Sequence, residues 1–303
     1  MSSPYRHHYD TDLSNKEWKT IRNLFPKSFL KRKRKTSIRR TLDALFYLSD
    51  SGCKWKHLPK GDFPPKSTVN YYFIQWRNMG FFPLMNDVLV KLNRVRAGRD
   101  ASPSAAICDA QSVLSALGGK DTGFDGGKKT KGRKRQIVVD VMGNLLAVHV
   151  HAANTSDKKG GLELFRTNKE RLTTIKKIWA DGGYAGMDGL KQILKVRHAV
   201  DLEIVKSLKS KVKNEYEASL MAPKSFSTQL LLFEPTEISS KPLISRRDEE
   251  RGFKIVAWRW IVERTLGWLS QFRRLRVDYE RNTKSAEAWC YLASIRMTLS
   301  RVT

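Results

Sequence analysis

Residues 135–151 read RQIVVDVMGNLLAVHVH. The stretches 135–141 and 145–151 are rich in β-branched residues, and Met142-Gly143-Asn144 between them has the composition of a tight turn, so the spacing predicts a β-hairpin. Just upstream, the short apolar run 105–108 ends on Asp109 and predicts a further strand. Downstream, the pattern predicts a helix over 162–172, a strand over 175–180 (IKKIWA) running into Asp181-Gly182-Gly183, a helix over 190–196 and a strand over 202–205. An irregular insertion at 207–252 then precedes WRWIVERTLGWLSQFRRL, residues 258–275. There Trp258, Ile261, Val262, Leu266 and Leu269 recur at the three- and four-residue spacings of one helical face.

Three strands, helix, strand, helix, strand and a late helix is the element order of an α/β fold of RNase-H-like type, a mixed sheet with flanking helices. The first hundred residues follow the helical period instead. Ser14 is placed to cap a helix carrying Trp18, Ile21 and Leu24; residues 37–51 turn Ile38, Leu42, Leu45 and Phe46 to one side; Pro59, Pro64 and Pro65 break the chain before a helix over 67–78, and another is expected over 81–95. Two helices joined by a turn containing Gly and Pro, behind a basic arm, fit a helix-turn-helix DNA reader. The expected organisation is an all-helical DNA-binding domain over 1–96, a linker over 97–104, and a catalytic domain over 105–303.

The composition narrows the partner. Fifty-seven Lys and Arg against 30 Asp and Glu leave a formal charge of +27 on 303 residues, which calls for a polyanion. No run reaches the roughly 18 apolar residues of a spanning helix, so a membrane is not expected and a cytoplasmic, nucleoid-associated location is. Cys53, Cys108 and Cys290 lie far apart with no CxxC pair, and they read as reduced thiols. Charge is concentrated in Lys31, Arg32, Lys33, Arg34 and Lys35, and in Lys128, Lys129, Lys131, Arg133 and Lys134. Both runs are expected to hold DNA phosphates without reading bases.

Cleaving a phosphodiester at neutral pH requires activating a poor nucleophile and stabilising a charged leaving oxygen, which two divalent ions can do together. Hard cations prefer carboxylate oxygens. Asp109 and Asp181 each follow a predicted strand, where a sheet presents ligands, and Glu263 sits on the 258–275 helix. Taken singly, each aspartate is equally a turn or cap residue, and Glu263 is equally a surface partner of Arg259 at i,i+4. Asn154 and Asp157 are softer candidates for the rim of the site.

Four segments, ICDAQSV at 107–113, GGKKTKGRKRQIVVD at 126–140, WADGGYAG at 179–186 and RWIVERTLGWLSQFRRLRVDYE at 259–280, resemble bacterial insertion-sequence DDE transposases of the insertion-sequence-five type. Gly52-Cys53-Lys54-Trp55, Leu58-Pro59 and Ser67-Thr68-Val69 extend the likeness into the helical region. The resemblance implies that Asp109, Asp181 and Glu263 are the catalytic, metal-binding triad, holding two Mg²⁺ ions for which Mn²⁺ substitutes. It further implies that Arg259 contacts a phosphate near the cut or orients Glu263. Val256 and Ser270 depart from the Tyr and Lys of many relatives, and Arg274 is expected to return to the same helical face and replace the missing charge. The implied partners are double-stranded DNA, both terminal repeats and target, and further copies of the chain in a dimer or larger assembly. A nuclease of the same core that cuts without joining, and a degenerate DNA-binding protein, remain as alternatives.

Overall fold

The computed structural model describes residues 9–26, 36–116, 119–184, 201–204 and 256–303. The basic run 31–35, the predicted helix at 190–196 and the insertion at 207–252 lie outside the described residues. The elements are α1 Asn15–Ile21, α2 Ile38–Ser51, α3 Lys66–Asn78, α4 Phe81–Arg96, β1 Ala105–Leu114, β2 Gly123–Asp125, β3 Thr130–Asp140, β4 Leu145–Ala152, α5 Asp157–Thr167, β5 Lys177–Ala180, β6 Asp201–Ile204, α6 Val256–Gln271, α7 Arg273–Arg276 and α8 Thr283–Val302.

Local chemistry sets the helix ends. Ser14 accepts the Glu17 amide while the Glu17 carboxylate accepts the Ser14 amide, a reciprocal cap that starts α1. Ser37 caps α2, and Gly52 in the left-handed region (φ +66°) ends it. Gly52 also lies where a Cβ would come within 2.8 Å of Arg273 Cβ, so α7 packs directly on this turn.

The chain forms one mixed sheet. β4, β3 and β1 are antiparallel neighbours, β1, β5 and β6 run parallel, and the short β2 also pairs with β3. The hairpin expected at 142–144 is present as the β3–β4 turn. It is pinned by Asp140, whose Oδ1 accepts the amides of Met142 and Asn144 and whose Oδ2 meets Arg94 of α4 at 2.7 Å.

Several boundaries differ from the sequence reading. β1 continues past Asp109 to Leu114 because its antiparallel partner β3 begins at Thr130, five residues earlier than the apolar pattern marked. The 162–172 helix is shifted: α5 spans Asp157–Thr167, capped by Ser156, and a 3₁₀ turn follows. The late helix stops at Gln271, Phe272 is extended (φ −70°, ψ 112°), and α7 restarts the coil. β2 and the twenty-residue α8 carried no usable periodicity.

One hydrophobic cluster joins α2, α3 and α4 to α6, α8 and one face of the sheet. It includes Phe46, Trp76, Phe82, Leu89, Val148, Trp289 and Leu299, all nearly fully buried. Phe73 of α3 and Trp289 of α8 stack at 4.8 Å. A second cluster, including Ala106, Cys108, Leu164, Ile178 and Tyr184, fills the opposite face beneath α5. Among the described residues no helix is long and apolar enough to cross a membrane.

Candidate active site

The parallel ladder between β1 and β5 ends with Cys108 opposite Ala180. Adjacent strands lie about 4.8 Å apart, so Asp109 and Asp181, the next residue on each, emerge side by side. Asp109 lies inside β1 as measured by its pairing with β3, and at the strand end only as measured by β5. Its Oδ1 accepts the Ala110 amide at 2.7 Å, and Asp181 Oδ1 accepts the Gly183 amide at 2.9 Å. Burial pushes the Asp109 carboxyl up to about 6; the Ala110 amide opposes this, the Asp181 charge adds to it, and Arg259 and Lys128 oppose it. The shift is chiefly one of burial, and the nearby cations only partly offset it.

α6 packs across β1, β3 and β5. Trp258, at its start, stacks flat on Trp179 of β5 with centroids 5.3 Å apart, two residues before Asp181. At the β3–β4 turn, Thr265 Oγ1 donates to Gly143 O at 3.0 Å, and a Cβ on Gly143 would meet that hydroxyl at 2.9 Å. These two contacts fix the helix over the strand ends. One guanidinium nitrogen of Arg259 lies 3.4 Å from Glu263 Oε1 and 4.0 Å from Asp181 Oδ2. Arg259 thus connects the helix carboxylate to the strand carboxylate, while Glu263 itself remains 57% exposed. Ser270, the other departure besides Val256, accepts from Gln111 Nε2 at 3.4 Å, so a neutral contact spans β1 and α6 there.

Among the described residues no three His, Cys, Asp or Glu side chains converge closely enough to hold a metal ion as placed. Asp109 and Asp181 nonetheless suit a hard cation. Each engages one oxygen with a backbone amide, and Asp109 is raised by burial and by its anionic neighbour.

The back wall of the site is apolar and tightly fitted. The Cys108 thiol contacts Tyr184 Oη at 3.4 Å, and burial raises the thiol to about 12, leaving it inert at neutral pH. Gly160 and Gly161 admit α5 to the sheet: a Cβ on Gly160 would sit 2.1 Å from His151 Nε2, and one on Gly161 would sit 2.9 Å from the Tyr184 ring. Asp157, the first residue of α5, also reaches the site. A Cβ on Gly183 would lie 2.8 Å from Asp157 Oδ2 and 3.1 Å from Asp181 Oδ1. Asn154 instead packs against Gly123.

The basic residues divide into two groups. Lys128, Lys129 and Lys131 are exposed around the β2–β3 turn, and Lys128 Nζ donates to Ala110 O at 3.0 Å, beside Asp109. Arg133 and Lys134 do not belong to that surface. Arg133 is fully buried, paired with Asp278 at 3.2 Å and donating to the carbonyls of Lys120, Glu280 and Arg281. Lys134 is 6% exposed and lies 2.9 Å from Asp157 and 3.7 Å from Asp125. Their positions on β3 turn them inward, where carboxylates and carbonyls take the place of any phosphate. Arg274 also departs from its expected role. The break at Phe272 takes it off the α6 face, and it lies buried against Glu280 at 2.7 Å, over the rings of Trp55 and Trp289.

Residues 100–297 match the family described as Transposase DDE domain, and residues 13–86 match the one described as Putative transposase of IS4/5 family. A stretch of 41 residues is 49% identical to a Burkholderia cepacia protein described as Putative transposase for insertion sequence element IS402. That match covers 14% of this chain and 19% of that protein. With the first of these families matching well over half of its residues, the chain belongs to the DDE transposase family of insertion sequences.

Proposed function

We propose that the chain binds the ends of an insertion sequence, cleaves DNA strands there and joins the freed 3′-OH ends to target DNA by Mg²⁺-dependent phosphoryl transfer on an RNase-H-like core. The observation that carries this reading is the equal register of Asp109 and Asp181 on adjacent parallel strands, with Arg259 and Glu263 held over them. The sheet order β4-β3-β1-β5-β6, antiparallel on one side of β1 and parallel on the other, supports the fold assignment.

In this mechanism Asp109, Asp181 and Glu263 would hold a pair of Mg²⁺ ions, or Mn²⁺ in their place, and such ions would supply activation of the attacking hydroxyl and stabilisation of the leaving oxygen. Asp109 contributes from a desolvated position, where its charge attracts a cation strongly. Arg259 serves as a reversible partner: with DNA bound, its guanidinium turns to the scissile phosphate and Glu263 is released toward the aspartates. Lys128, Lys129 and Lys131 steady the backbone beside Asp109, and the described helices α2 and α3 provide the helix-turn-helix element of a DNA-binding region over 1–96. Because two DNA ends must meet, the working form is a dimer or larger assembly on DNA.

The test is incubation of the full chain with a labelled element end, a target plasmid and Mg²⁺ or Mn²⁺. Joined product that disappears with Asp109→Ala, Asp181→Ala or Glu263→Ala supports the proposal. Cleaved ends without joining indicate a nuclease, and DNA binding unaltered by all three substitutions with no cleavage indicates a binding protein only.

A further inference from the structure

Trp260, Arg264 and Trp268 follow one another at four-residue steps along α6, on the flank beside the one carrying Arg259 and Glu263, and Arg301 of α8 closes the row. The Arg264 guanidinium lies 4.4 Å from the ring centroid of Trp260 and 4.4 Å from that of Trp268; that of Arg301 lies 4.5 Å from Trp268. Ring and cation therefore alternate over four side chains. Trp260 is 51% exposed and Arg301 is exposed, so the row borders solvent.

Among the described residues neither guanidinium forms an ion pair with a carboxylate. Arg264 donates to Met142 O at 3.0 Å, and among the described residues its buried Nε has no hydrogen-bond partner. Asp140, the carboxylate whose field reaches Arg301, is already bonded to Arg94 and Asn144. Although the Arg301 residue is exposed overall, its guanidinium lies partly desolvated over Trp268, and that burial first, then the like charge of Arg264, holds it below its ordinary value. Two guanidiniums over one indole repel each other, and a bound anion would relieve that repulsion. Stacking also holds each planar fork in a fixed orientation, so a bound oxyanion need order little side-chain freedom.

We propose that this row is a docking track for the phosphate backbone of duplex DNA, leading away from the catalytic face of α6 toward α8. The proposal rests on the DNA-processing reading above. The track reads no bases, because it presents guanidinium forks and ring faces to the backbone. It places the DNA flank on the same helix as Glu263, so binding along the row fixes the rotation of the duplex at the cut.

The test is duplex affinity of the full chain across a salt series, with wild type, Arg301→Gln and Arg301→Lys. The expected result is a slope of log K against log salt that falls by about 0.9 for each phosphate left unneutralised by Arg301→Gln, while Arg301→Lys keeps the wild-type slope. An unchanged slope in Arg301→Gln, with wild-type DNA cleavage intact, overturns the track and leaves the transposase reading standing. A change in subunit association with an unchanged slope overturns it in favour of a second copy on this face. Absence of any duplex binding by wild type overturns both proposals.

Discussion

Asp109 and Asp181 leave neighbouring parallel strands one step beyond the last pair of the ladder, Cys108 and Ala180, so two carboxylates share one edge of the sheet. Their closeness does not stabilise the Asp109 carboxylate, since burial and the second charge both favour its protonated form. Asp109→Asn keeps the acceptor for the Ala110 amide and removes the charge. The expected outcome is a protein about 1–3 kcal/mol more stable than wild type at neutral pH without divalent ions, together with loss of DNA cleavage. The sign follows from linkage. A carboxylate raised from 3.8 to about 6 makes the folded state bind more protons between those values, so wild-type stability falls as pH rises through that window. Urea titrations of both proteins at pH values spanning it provide the measurement; a variant gain that persisted below the window would contradict this assignment.

Arg259→Gln separates the two roles of the guanidinium. An exposed i,i+4 pair contributes less than about 1 kcal/mol to stability, so the thermal midpoint should scarcely move. Cleavage should fall by about 10²-fold or more if the guanidinium contacts the scissile phosphate. Comparison with Arg259→Lys shows whether charge alone suffices: recovery of full cleavage by Lys would exclude a requirement for the planar fork.

Buried and exposed cations of one basic run are expected to behave oppositely. Arg133→Met strands the Asp278 carboxylate and three carbonyls in the interior and should cost about 3–5 kcal/mol, visible as a lower urea midpoint. Lys131→Met, on the surface, should change stability by no more than about 0.5 kcal/mol while reducing the salt dependence of DNA binding. Equal effects of the two substitutions on stability would refute the division.

The His151 side chain of β4 faces Gly160 of α5, its Nδ1 against Ala152 O and its buried Nε2 without a hydrogen-bond partner among the described residues. Burial first, then the charges of His149 and Lys134, hold its imidazole below the ordinary 6.5. The unfolded chain therefore binds the extra proton first, and stability should fall as pH drops below 6.5, by at most about 1.4 kcal/mol per pH unit from this group. His151→Gln should flatten that limb of the stability profile. A profile of unchanged steepness would assign the acid loss to another group.

Much of the order of the described strands and helices was legible because its signals are local. The turn at Met142-Gly143-Asn144, the Ser37 cap and the apolar face of α6 each lie within a few residues of what they determine. α8 was not legible, because residues such as Ser285, Cys290, Ser294 and Thr298 are buried around much of its circumference and leave little amphipathic stripe. Likewise the residues on β3 read as one basic surface, since nothing near Arg133 announces a carboxylate 145 positions away at Asp278. At the site, residue type and strand placement marked the two aspartates. The stacking of Trp179 on Trp258, which brings Glu263 beside them, depends on tertiary packing that a sequence pattern does not encode.

α8 has a consequence for the order in which the protein is made. Its Trp289 and Leu299 belong to the same cluster as Trp76 and Phe82, so the helices written first in the sequence find part of their core only after residues 283–302 have been synthesised. Contacts of such long separation form slowly and leave apolar surface open to wrong partners in the interval. A nascent chain interrupted before α8 would therefore present unfinished helices α2 to α4, which makes translation through that helix a condition for completing their core.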